Sequence, residues 1–221
     1  MCGDLKSSEP IPGHRAQSRL VVPTIYSVCG EMLMTQRFSE WVHRVSSGWV
    51  VFSALVIFIL FMMLVLPRQA SRAEVDSNGA GSPDMSFYYT AEDLYQMADG
   101  YGKEGREAYI RARFTFDLIW PLVYAIFLST GISWVYQRSF AMDSVWQRAN
   151  ILPVLGALFD YLENITTSVV MVRYPNPTTV LDILAAIFTM LKWVFVIGSF
   201  ALLLVGVVVG VGRWVRAREK Q

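Results

Sequence analysis

Long apolar runs separated by short polar stretches dominate the hydrophobic pattern of the chain. The first run covers residues 49–66 without a charged residue, and three longer runs follow it. A helix needs roughly 20 predominantly apolar residues to cross the hydrocarbon core of a bilayer. The pattern therefore predicts an all-α fold in which four transmembrane helices form a bundle. These spans are predicted over residues 48–66, 113–136, 151–172 and 180–212.

The segments between the spans differ in composition. Residues 67–86 are small and polar, as in a flexible linker. Within 87–112, Thr90 is followed by Asp93 and by apolar residues at helical spacing, which predicts a short amphipathic helix outside the cytoplasm and a second helical stretch beyond Gly102. The remaining segments are a mostly disordered cytoplasmic tail (1–47), a cytoplasmic loop (137–150), a short outer loop (173–179) and a basic cytoplasmic tail (213–221).

Two features mark the ends of spans. Pro67 closes the first span, and Thr179 with Asp182 three residues later is typical of a capped helix start. The first run could instead belong to a signal peptide, but the apolar region of such peptides is roughly 7–15 residues long. An uncleaved membrane anchor is therefore the preferred interpretation.

Composition supports the membrane class and excludes several kinds of chemistry. Only 17% of the 221 residues are charged, against about 25% in soluble domains, and the net charge of +1 gives no field that would attract nucleic acid. The cysteines and histidines, Cys2, Cys29, His14 and His43, all precede the first span. The spans therefore lack a thiol redox pair, zinc ligands and the base of a Ser-His pair, and no cofactor or metal is predicted.

Basic residues predict the orientation. With the amino terminus inside, eleven Lys or Arg residues lie on the cytoplasmic side and seven on the outer side. The excess includes a dense carboxy-terminal group that begins at Arg213. Since cytoplasmic flanks carry more Lys and Arg, we expect a multi-pass protein of the cell membrane with both termini inside, whose first partner is the lipid bilayer.

Two carboxylates near the centre of the third span are the anomaly of the sequence. An Asp at a helix centre costs roughly 2.5–3.5 kcal/mol of insertion free energy, and here Asp160 is followed by Glu163 and Asn164. Separations of three and four residues put these side chains on one stripe of the helix. We expect the stripe to face the bundle interior, with Leu158 and Ile165 turned away from it.

Depth along the helices suggests the partners of these acids. Asp160 lies twelve residues from Val172 and Lys192 thirteen from Thr179, so an ion pair between Asp160 and Lys192 is geometrically possible. Three acids against one base should leave at least one carboxyl protonated unless a cation enters. The predicted polar pocket consists of Asp117, Tyr124, Asp160, Glu163, Asn164 and Lys192.

A structural interpretation stands beside the functional one. Polar side chains often only join transmembrane helices, through hydrogen bonds worth about 0.6 kcal/mol each on average. Lys192 could extend to the outer interface, since residues 193–212 carry no charge. Gly206 and Gly210 form a G-x-x-x-G pair that allows close helix packing, within the bundle or across a homodimer.

Three motifs resemble a pattern of bacterial four-span integral membrane proteins of uncharacterised activity. They are Tyr101-Gly102-Lys103-Glu104-Gly105-Arg106, then Asp117 with Pro121 and Tyr124, then Leu158-Phe159-Asp160-Tyr161-Leu162-Glu163-Asn164. The resemblance covers about residues 88–212. It implies that this range forms one structural unit. It implies no activity.

Three functional hypotheses follow. In the first, a non-enzymatic pocket binds or conducts a cation, a proton or a polar lipid headgroup, with Asp160 and Glu163 as ligands and Lys192 as counter-charge. In the second, an intramembrane enzyme acts on a lipid through a carboxylate pair assisted by Tyr124, although no nucleophile accompanies the acids. In the third, the chain is a scaffold subunit whose buried charges pair with another protein.

Overall fold

The computed structural model describes residues 34–219, which are helical and contain no strand. The chain divides into two units, Met1–Trp41 and Val42–Gln221. Most of the tail predicted over 1–47 lies outside the described residues, and residues 34–45 are helical. Met34, Phe38 and Trp41 recur there at helical spacing, and all three are exposed.

Five long helices make up the second unit. Two short 3-10 segments accompany them, Pro83–Met85 before the second helix and Val145–Ile151 before the fourth. The long helices are α1 (Gly48–Asp76), α2 (Ala91–Arg113), α3 (Phe116–Ser139), α4 (Leu152–Arg173) and α5 (Leu181–Arg218).

Three helical stretches of the described residues are long and apolar enough to cross a membrane. They are α1, the combined α2 and α3 stretch Ala91–Ser139, and α5. The predicted third span corresponds to α4, whose length of 22 residues suffices but whose polar stripe lowers its mean hydropathy. The fold is thus all-α and fits a membrane protein.

The first helix runs further than the apolar pattern predicts. Pro67 does not end it, and the helix continues to Asp76 through the first half of the predicted linker. A π-helical turn, Phe61–Val65, directly precedes the proline, and the Leu66 amide donates to the carbonyl of Phe61. This wider turn, together with the position of Pro67 at the start of the next helical segment, keeps the chain helical.

The second helix begins and bends where the sequence predicts. Thr90 and Asp93 form a reciprocal capping box, in which the Thr90 amide donates to Asp93 Oδ2 at 2.8 Å and the Asp93 amide donates to Thr90 Oγ1 at 3.1 Å. Gly102 has φ of +62°, which breaks α2 into two helical parts. Arg106 donates to the Ala98 carbonyl at 2.7 Å and so bridges the break. Gly102 and Arg106, both in the motif that begins at Tyr101, therefore determine where this helix bends.

The apolar face of α2 packs against protein. Its buried residues meet the carboxy-terminal half of α4 and the amino-terminal half of α5, while its exposed face carries Glu92, Lys103 and Glu107. The amphipathic helix thus covers one side of the bundle. The packed residues are Leu94, Ala98, Tyr101 and Tyr109 of α2, Val170 and Met171 of α4, and Ala185 and Ala186 of α5.

The start of α5 differs from the predicted cap. Its N-cap residue is Val180, without a side-chain cap hydrogen bond, so Thr179 does not serve as the cap. A turn in which the Leu181 amide donates to the Thr178 carbonyl at 2.7 Å precedes the helix. Asp182 instead accepts hydrogen bonds from the Ile183 amide and the Tyr95 hydroxyl, which ties this end of α5 to α2.

The two candidate caps make a matched pair for mutagenesis. We expect Thr90→Ala to lower the free energy of unfolding by about 1 kcal/mol, because the Thr90 hydroxyl accepts the hydrogen bond of the Asp93 amide and also donates to Asp93 Oδ2. Thr179→Ala removes an exposed side chain without such a role and should change stability little. Thermal unfolding of the detergent-solubilised variants compares them, and equal losses would contradict the assignment.

The glycine pair of α5 packs within the chain. A Cβ on Gly206 would lie 2.6 Å from the Tyr136 ring and 2.9 Å from Val135, so α3 approaches α5 closely at this point. The Ser139 hydroxyl donates to the Gly206 carbonyl at 3.1 Å. Gly210 lies one turn further on, where an added Cβ would meet the Ser139 hydroxyl at 3.0 Å.

Candidate functional site

A buried polar network connects α3, α4 and α5. Asp160 and Glu163 face the bundle interior, with 7% and 0% of their surface exposed, in agreement with the predicted orientation. The Tyr124 hydroxyl of α3 donates to Asp160 Oδ2 at 3.1 Å. Asn164, one turn further along α4, donates to Asp160 Oδ1 at 3.3 Å. Neutral donors on two helices therefore hold the Asp160 carboxyl.

Lys192 of α5 forms ion pairs with two other carboxylates. It pairs with Glu163, and its Nζ lies 3.3 Å from Asp84 Oδ1. Matching depth had suggested Asp160 as its partner. In the structure Glu163 is turned towards α5, whereas Asp160 is turned towards Tyr124 on α3. Burial of Lys192, which is 6% exposed, also means that it does not extend to the interface.

Arg113 at the end of α2 links the remaining acids. Its guanidinium pairs with Asp84 and, at 3.0 Å, with Asp117 one turn later in the chain. The same group donates to Asn164 Oδ1 at 3.4 Å. Arg113 therefore joins Asp117 to Asn164 and through it to Asp160. All six predicted pocket residues belong to one connected network.

Two members of this network, Asp84 and Arg113, were not among the predicted residues. A signal for Arg113 exists, since it precedes Asp117 by four residues, the spacing of a helical ion pair. Asp84 has no comparable signal, because it lies in a polar stretch without periodicity. Its position depends on the turn Pro83–Met85 and on the buried Pro83 and Tyr89 beside it.

The charges of its partners stabilise the ionised form of Asp84. Burial of the side chain favours the neutral acid, but the positive charges of Arg113 and Lys192 outweigh it and hold the pKa of the Asp84 carboxyl below its ordinary value. Burial together with the negative charge of Glu163 raises the pKa of the nearby Tyr89 phenol. Asp84 is therefore an anion and Tyr89 a neutral hydroxyl.

Acids outnumber bases in the network. Four carboxyl groups, those of Asp84, Asp117, Asp160 and Glu163, meet two cationic groups, so complete ionisation leaves an excess of two negative charges. Glu163 Oε1 is buried and has no hydrogen-bond partner among the described residues. An uncompensated buried charge is costly, so the network favours the uptake of positive charge.

Apolar residues bound the network at one end of α3 and α4. Leu128 follows Tyr124 by one turn on α3, and Ala157 precedes Asp160 by one turn on α4. Both residues are buried. Beyond them, Asn150 donates to the Ser133 hydroxyl at 2.8 Å in a second buried polar contact. Leu128 and Ala157 therefore lie between the polar network and this contact along α3 and α4.

Comparisons with known proteins return no match, whether with described protein families, with curated proteins or with solved structures. The resemblance carried by the three motifs therefore stays a prediction. The site has to be interpreted from its own geometry.

Proposed function

We propose that the chain is a four-span membrane protein whose buried network binds a proton at a carboxyl group shared by the pocket. The observation that carries this proposal is the excess of carboxyl groups over cations inside one closed network. A protonated acid beside ionised ones can bind a proton reversibly, acting as a donor when protonated and as an acceptor when ionised. Asp160 is the proposed proton carrier, because it is the one carboxyl of the four that forms no ion pair with Arg113 or Lys192 among the described residues.

A proton suits this site better than a metal ion or a headgroup. Among the described residues, no group of three or more His, Cys, Asp or Glu side chains is arranged to hold a metal ion. The two cationic groups that an anionic headgroup would need, Arg113 and Lys192, are already paired with carboxylates. A scaffold subunit would need buried charges that are still unpaired in order to bind another chain. Arg113 and Lys192 are instead paired within this chain.

The proposed topology adds α4, the third span in chain order, to the three other spans and places both termini in the cytoplasm. At about 1.5 Å per residue its 22 residues extend for about 33 Å, which matches the hydrocarbon core. Its exposed side is apolar and includes Leu158, Ile165 and Val172, while its polar stripe is buried. Such a helix can face lipid on one side and the network on the other.

Infrared difference spectroscopy tests the proton site directly. Protein in lipid nanodiscs at neutral pH should show the C=O stretching band of a protonated carboxyl, and Asp160→Asn should remove it or reduce it by about half or more. Glu107→Gln is the matched control, since Glu107 is exposed on α2, and it should leave the band unchanged. A spectrum without a protonated carboxyl between pH 5 and 8 contradicts the proposal. A band that persists in Asp160→Asn assigns the proton to another acid and contradicts the role of Asp160.

A further inference from the structure

We propose that residues 82–89 form a lid over the buried network and that the Asp84 carboxylate is the latch that holds it shut. Asp84 is the member of the network that lies outside the long helices, and 26% of its side chain is exposed, against 7% for Arg113 and for Lys192. The exposed side of the network is therefore formed by this segment. The inference deepens the proposed function by giving the site its route of access.

Both ends of the lid are anchored, and its first end has the geometry of a hinge. The Tyr101 hydroxyl donates to the Gly81 carbonyl at 2.7 Å, and the capping box of Thr90 fixes the start of α2. Asn78, Gly79 and Gly81 all have positive φ, of 51°, 75° and 83°. A Cβ placed on Gly79 or Gly81 would meet open space, whereas Ala80 between them packs closely on Gly100 of α2.

The inner surface of the lid covers buried groups. Tyr89 is 2% exposed, and its hydroxyl accepts a hydrogen bond at 3.0 Å from Thr189 of α5, which is fully buried. Asp84 binds Arg113 on one side and Lys192 on the other. Displacement of the segment breaks these contacts together and uncovers Thr189 and the two cations.

Space for this displacement lies beside the lid. A cavity of about 370 Å³ separates the segment from the first turns of α2, and Ser86, Tyr88, Asp93 and Met97 are among the residues that line it. The exposed positions of the segment, Met85, Phe87 and Tyr88, do not hold it in place. The closed state therefore depends on the Asp84 ion pairs and on the buried side chains of Pro83 and Tyr89.

Cysteine accessibility measures the opening of the lid. In a Cys2→Ser/Cys29→Ser background in nanodiscs, Thr189→Cys places a thiol directly beneath Tyr89, and its reaction with a water-soluble methanethiosulfonate reagent should be slow. Adding Asp84→Asn should speed the reaction at least tenfold, because the latch loses its charge; tenfold corresponds to 1.4 kcal/mol. Asp84→Glu keeps the charge and should retain a slow reaction. Equal rates with and without Asp84→Asn overturn the proposal.

A control thiol separates opening of the lid from general loosening. Ser199→Cys is equally buried on α5 but lies ten residues further along the helix, away from the lid. Its reaction rate should not change with Asp84→Asn, and a parallel rise at both sites overturns the lid. Hydrogen–deuterium exchange of the peptide that contains residues 82–89, which needs no cysteine, should likewise rise in Asp84→Asn alone. These readouts report access, so they can fail while the infrared band of the proton site persists.

Discussion

Lys192→Met should lower the free energy of unfolding by about 3–5 kcal/mol, the usual cost of removing one partner of a buried ion pair. Lys192 is the only partner within ion-pairing distance of Glu163 among the described residues, and it also pairs with Asp84. The substitution leaves the fully buried Glu163 with an uncompensated negative charge. Reversible unfolding in mixed detergent micelles, followed by circular dichroism, measures the loss.

The matched control for this substitution is Lys103→Met on the exposed face of α2. It makes the same chemical change at a position open to solvent and should alter stability by no more than about 0.5 kcal/mol. Combining Lys192→Met with Glu163→Gln should recover part of the lost stability, since the neutral amide no longer needs a cation. Equal effects of the two lysine substitutions would show that the buried pair contributes nothing.

Gly206→Ala should destabilise the fold by roughly 1–3 kcal/mol, the range expected when a methyl group is forced into a packed interior. The added Cβ would lie 2.6 Å from one atom of the Tyr136 ring and 2.9 Å from Val135. Tyr136 cannot turn away freely, because it is fully buried and its hydroxyl donates to the Leu202 carbonyl at 2.9 Å. We therefore expect α3 and α5 to separate locally, with a lower midpoint of thermal unfolding.

Gly198 and Gly212 provide controls on the same helix. No described atom lies within 4 Å of a Cβ at either position, so alanine should be neutral or slightly stabilising there, as alanine is the better helix former. A loss at all three positions would indicate a general effect of alanine on α5. A loss at Gly206 alone supports the close packing of α3 on α5.

The inward orientation of the acids could be predicted because the physics allows few alternatives. Carboxylates at the centre of an apolar run are costly in lipid, so Asp160 and Glu163 had to share a protected face. Helical periodicity then placed Asn164 beside them and Leu158 and Ile165 on the opposite side, as the structure shows. The capping box at Thr90 followed from an equally local pattern.

The pairing within the network could not be predicted, because it depends on tertiary geometry. Depth along a helix does not distinguish Asp160 from Glu163, which lie less than one turn apart, and rotation about the axis of α4 decides which of them meets Lys192. The presence of Asp84 in the network was even harder to predict. Its segment lacks periodicity, and it reaches the network only after α1 continues past Pro67 and the chain turns at Gly79 and Gly81.

The apolar layer at Leu128 and Ala157 has an electrical consequence in the proposed topology. A proton that reaches Asp160 from outside crosses only the part of the membrane above this layer, so it moves through only a fraction of the transmembrane voltage. A full crossing by one elementary charge corresponds to about 2.3 kcal/mol per 100 mV. Occupancy of the site then shifts with membrane potential.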